Sequence, residues 1–185
     1  MGIKQISYFN YWRKKASENE EFFDNASFIN EAGEKTVIYG YMKNIHVEMQ
    51  NLAKAILNFN YKGCKVVAPT PSDFSTSYLS ALKETEFAKI SELKAEANDA
   101  GLIAELYDEK NGNYMYMLQN ILDTILDDDE EEPCNTDLTL TVTFKDLKAN
   151  KLIVYDKGNP TTVELKDGKY TITLKAGRAV YVIPY

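Results

Sequence analysis

Between Leu138 and Phe144 the chain alternates without a break: Leu138, Leu140, Val142 and Phe144 are apolar, and Thr139, Thr141 and Thr143 stand between them. A period of two marks a strand with one face on a core and the other in water. Shorter runs repeat the theme at Leu152 to Tyr155, Thr162 to Leu165, Tyr170 to Leu174 and Ala179 to Ile183, with turns at Lys157-Gly158-Asn159-Pro160, Lys166-Asp167-Gly168 and Ala176-Gly177. Leu102 to Tyr107 and Tyr114 to Leu118 flank Asp108-Glu109-Lys110-Asn111-Gly112-Asn113, whose Asn-Gly pair suits the positive φ angles of a hairpin turn. Strands at such short spacing predict an antiparallel β-sandwich or a small barrel.

The first third of the chain has another period. From Thr36 to about Asn58 the residues Ile38, Tyr41, Met42, Ile45, Met49, Leu52, Ala53 and Ile56 recur three and four apart, which predicts one long helix with an apolar face. Gly33 supplies a turn before it and Thr36 is the expected N-cap. Gly40 costs such a helix about 1 kcal/mol relative to alanine, and close packing on a neighbour would explain it. Upstream, Ile3 to Tyr11 is rich in β-branched and aromatic residues and predicts one strand, followed by a charged loop from Arg13 to Asn30 anchored at Phe22 and Phe23. Cys64 to Ala68 predicts a short strand closed by Pro69 and Pro71, whereas Phe87 to Ala97 fits helix and strand alike. The predicted class is α+β: an N-terminal strand and long helix over 1–62, then a sandwich over 63–185.

Composition adds limits. The 185 residues carry 44% apolar and 26% charged side chains, enough to bury a core without covalent staples. A net charge of -7 with no Lys or Arg cluster argues against nucleic acid. No stretch approaches the roughly 20 apolar residues of a membrane-spanning helix, so no membrane partner is expected. Cys64 and Cys134 are too far apart for a ligand motif and are read as free thiols. If Met1 is the native start, the cytoplasm is the expected compartment; otherwise an upstream signal leaves it open.

The order of elements is odd for a whole protein and natural for the tail of a larger one. The segment Gly2-Ile3-Lys4-Gln5-Ile6-Ser7-Tyr8-Phe9-Asn10-Tyr11-Trp12 resembles the eighth barrel strand of β-galactosidase-like glycoside hydrolases, of the form G-x-x-x-I-x-Y-F-x-Y-W. Phe28-Ile29-Asn30-Glu31-Ala32-Gly33-Glu34-Lys35-Thr36 is similar to the line that precedes the eighth helix in those enzymes, which makes Tyr39 to Leu57 the counterpart of that helix. The hairpin at Asp108 to Tyr116 and Leu174-Lys175-Ala176-Gly177-Arg178-Ala179-Val180-Tyr181-Val182-Ile183 resemble the small C-terminal sandwich, though such endings occur in many hydrolases. Thr70 to Asn98 matches no such pattern.

Retaining glycosidases need two carboxylates about 5–5.5 Å apart. The resemblance implies that both sit on barrel strands upstream of Ile3, so the chain by itself is expected to catalyse nothing and no catalytic residue is assigned. It also implies that Trp12 stands at the mouth of the barrel, where an indole face can stack on a sugar; Trp12 and Tyr11 are the substrate-binding candidates, with a core or interface role as the alternative for both. Carbohydrate, reached through the parent enzyme, is the expected partner. A homodimer through the N-terminal strand and helix is expected where the strand must pair again. No cofactor and no metal is expected: His46 lacks companions at ligand spacing, and the acids Asp127 to Glu132 lack the pattern of a calcium loop and read as solvated. Two alternatives are a free-standing carbohydrate-binding sandwich, using Tyr107, Tyr114, Tyr116, Tyr155, Tyr170 and Tyr181, and a structural interaction domain with an exposed apolar patch.

Overall fold

A computed structural model describes residues 27–30, 32–67, 85–96, 101–120 and 137–185. The strand expected over Ile3 to Tyr11, the candidates Trp12 and Tyr11, the anchors Phe22 and Phe23, the prolines Pro69 and Pro71, Cys134 and the acids Asp127 to Glu132 all lie outside the described residues. Within them the chain forms α1 (Val37–Ile56), β1 (Asn60–Val67), β2 (Ile90–Glu96), β3 (Gly101–Asp108), β4 (Asn113–Asn120), β5 (Leu138–Phe144), β6 (Lys151–Asp156), β7 (Asn159–Glu164), β8 (Lys169–Leu174) and β9 (Ala179–Pro184). The class is α+β, with the strands in a sandwich-like pair of antiparallel sheets. The larger runs β1-β3-β4-β9-β6-β7 and the smaller β2-β5-β8.

The alternation along β5 drives the stacking. Leu138, Leu140, Val142 and Phe144 are buried against Ile103, Tyr116, Leu118, Leu152, Val154 and Val182 of the larger sheet. Each such aliphatic side chain withdrawn from water contributes about 1.5–3 kcal/mol. The intervening threonines face outward and pair across the strands, Thr139 with Thr173 and Thr141 with Thr171, each at 2.9 Å between hydroxyl oxygens. Phe87 to Ala97, ambiguous in sequence, is strand from Ile90 to Glu96, paired with β5 in register Leu93 to Val142 and Ala95 to Leu140.

Two turns differ in detail from expectation. In the β6–β7 hairpin only Lys157 and Gly158 turn, both at positive φ (50° and 76°), and Asn159 and Pro160 already belong to β7. Proline is tolerated there because β7 is an edge strand whose outer side needs no amide donor. In the β3–β4 hairpin Gly112 alone takes positive φ (70°), because the Asp108 carboxylate holds the turn by accepting the amides of Lys110 (2.9 Å) and Asn111 (3.3 Å) and the Asn111 side chain (2.6 Å).

The helix lies on the outer face of the larger sheet. There Phe59, Cys64, Ala104, Leu106, Met115, Met117 and Ile183 form a second buried cluster, against which Ala55 and Ile56 pack. The contact is tightest at the β6–β7 turn: a Cβ on Gly158 would stand 2.5 Å from the Glu48 carbonyl oxygen and 3.0 Å from the Leu52 amide. Thr36 is the N-cap residue, but its hydroxyl donates to the Ser27 carbonyl (2.6 Å) instead of capping the first turn. Among the described residues nothing lies within 4 Å of the Cβ position of Gly40. β1 begins at Asn60, so the larger sheet takes in the last residues of 1–62.

Candidate functional site

The candidate tyrosines of the sandwich do not converge on one face. Tyr116 is fully buried in the core between the sheets. Tyr107 and Tyr114 are direct cross-strand partners with ring centroids 4.7 Å apart, and the Lys62 ammonium lies 5.4 Å from the Tyr107 ring. Tyr170 packs on the edge of the same core, while Tyr155 and Tyr181 lie on the opposite face of the larger sheet, beneath the helix layer. Cross-strand packing disposes of most of these rings.

One polar constellation escaped the sequence reading. Glu105 and Tyr116 are register partners on the core side of β3 and β4, with Glu105 only 4% exposed. The Glu105 carboxylate accepts the Tyr116 hydroxyl and the Ala88 amide, each at 2.7 Å, and the Tyr116 oxygen accepts the Lys89 amide at 2.9 Å. Burial, then the Glu105 carboxylate, raises the Tyr116 pKa well above the ordinary phenol value, so the hydroxyl stays protonated and donates. Gly63, opposite Glu105 in register, makes room for Thr85, which passes over the position where a Cβ would stand. The group is a buried clasp that fastens 85–89 to β3 and β4.

The surface most open to a partner lies on α1. None of its 20 residues is buried. Val37, Tyr41 and Ile45, four apart and hence stacked on one side, are 66%, 64% and 44% exposed, and Ile45 belongs to the middle of the helix's own apolar face. The side turned to the sheet and its β6–β7 turn packs through Leu52, Ala55 and Ile56, and Ile45 and Met49 line the gap left between helix and sheet. On the far flank Phe28, Tyr39, Met42, His46 and Val47 line a groove of about 390 Å³. A helix apolar on more than one side normally has neighbours on more than one side.

Among the described residues no three His, Cys, Asp or Glu side chains gather as metal ligands would, and no helix is long and apolar enough to cross a membrane. Cys64 is a buried free thiol under the helix. No family model matches the chain, and no curated protein or solved structure matches it.

Proposed function

We propose that the chain is a non-catalytic C-terminal segment of a β-galactosidase-like glycoside hydrolase, in which α1 joins a barrel on one side and the sandwich braces it on the other. The observation that carries this reading is the half-covered helix: its C-terminal turns rest on the sandwich while Val37 and Tyr41 present apolar surface outward. The barrel-like segment from Gly2 to Trp12 and the line from Phe28 to Thr36 lead straight into that helix, which supports a barrel as the missing neighbour. A free-standing carbohydrate-binding module has less support, because its tyrosines are divided between the core side and the outer face of the larger sheet.

The test is an assay of this chain beside the complete gene product on a panel of aryl glycosides. The chain alone is expected to release no aglycone and the complete product to release it. Turnover by the isolated chain would overturn the proposal.

A further inference from the structure

We propose that the gap between α1 and the outer face of the larger sheet is a binding subsite for a single pyranose ring. This cleft of about 230 Å³ exists because the β6–β7 turn props the helix away from the sheet at Gly158, where the helix backbone rests directly on the turn. It is smaller than the roughly 300–1,000 Å³ of sites for drug-sized ligands, and one ring fits where an extended ligand does not.

The lining has the two chemistries that a sugar presents. Tyr155 and Tyr181 are directly opposed across β6 and β9, so their rings stand side by side on one face of the sheet, and Met49 and Leu52 of α1 close the cleft from above. Apolar walls of this kind suit the C–H faces of a pyranose. Around the mouth stand Glu48, Lys157 and Arg178, which suit its equatorial hydroxyls. Arg178 is occupied with Asp156 at 2.7 Å, but the Glu48 carboxylate, the Lys157 ammonium and the hydroxyls of Tyr155 and Tyr181 have no partner among the described residues. Burial raises the Tyr181 pKa, which keeps that hydroxyl a donor. An apolar cleft rimmed by unsatisfied donors and a carboxylate matches a polyhydroxylated ring better than a purely apolar or a purely ionic ligand. The choice of a saccharide rests on the function proposed above, whereas the cleft and its lining do not.

The experiment is an amide-resolved NMR titration of this chain with methyl β-galactopyranoside and methyl β-glucopyranoside, with p-cresol as a purely apolar ring. Saturable shifts at Gly158, Gly177, Ala179 and Tyr181 are expected with a millimolar Kd, the range that one small ring reaches. Glu48→Gln is expected to weaken binding about tenfold by removing a charged acceptor. Tyr181→Ala should abolish it; should that variant not fold, Glu48→Gln alone decides the matter. No shifts, shifts mapping elsewhere, an unchanged affinity in Glu48→Gln, or p-cresol binding in the cleft as well as either sugar would each overturn the subsite. Glycoside hydrolysis by the isolated chain would sink the proposed function and leave this binding standing, while absent binding in an inactive chain would do the reverse.

Discussion

Asp108 and Tyr116 show how much single side chains decide here. Tyr116→Phe removes a hydroxyl that both donates to Glu105 and accepts from Lys89, leaving a buried carboxylate short of a donor and a backbone amide short of an acceptor. Unsatisfied buried groups cost about 1–3 kcal/mol each, so a loss of about 2–4 kcal/mol is expected in urea denaturation. Asp108 acts through its charge. Hydrogen bonds from the Asn111 side chain and the amides of Lys110 and Asn111 lower its pKa from the ordinary 3.8. The folded form therefore binds its proton less readily than the unfolded form, so the stabilisation is whole above pH 3.8 and fades as pH falls through the lower folded value. The stability gap between the native chain and Asp108→Ala should be constant near neutrality and shrink in acid, as pH-dependent melting would record. The sequence showed a turn at this place because Gly112 marks it; the part of Asp108 was less plain, since a carboxylate reaching back to amides needs the turn geometry first. Glu105 was illegible for a stronger reason. In the run Leu102 to Tyr107 it reads as an outward polar residue, and only the return of 85–89 over the strand buries it.

At the scale of elements, what could be read depended on whether local pattern or distant packing fixes the conformation. β5 was legible because its alternation coincides with core below and water above. The helix was legible from its period, and Val37–Ile56 falls within the expected Thr36 to Asn58. β2 was not, because Ile90, Leu93 and Ala97 fit a helix while Phe87 and its neighbours fit a strand, and pairing with β5, more than 40 residues onward by the register, decides it. The cleft was invisible in advance: Tyr155 and Tyr181 stand together only because β6 and β9 pair, and the helix is spaced from them by one glycine turn. That turn carries a prediction. Gly158→Ala places a methyl group at positive φ, at about 1 kcal/mol, and drives it into the Glu48 carbonyl, so the helix must shift. Thermal unfolding should show a loss above that figure, and amides over 48–56 should exchange faster. An unchanged melting temperature would show that α1 does not rest on the turn.

Among the described residues, the two sheets complete their own core while the helix layer does not complete its cover. Leu138, Leu140, Val142 and Val182 are wholly withdrawn from water, yet every residue of α1 keeps some exposure. The most direct measurement is hydrogen exchange of the α1 amides over 37–47, compared between this chain and the complete gene product at one pH and temperature. Slower exchange over those residues in the complete product, with little change at 52–56, is the predicted result, because the proposed barrel would then cover Val37 and Tyr41. Equal exchange over 37–47 in both would contradict the account.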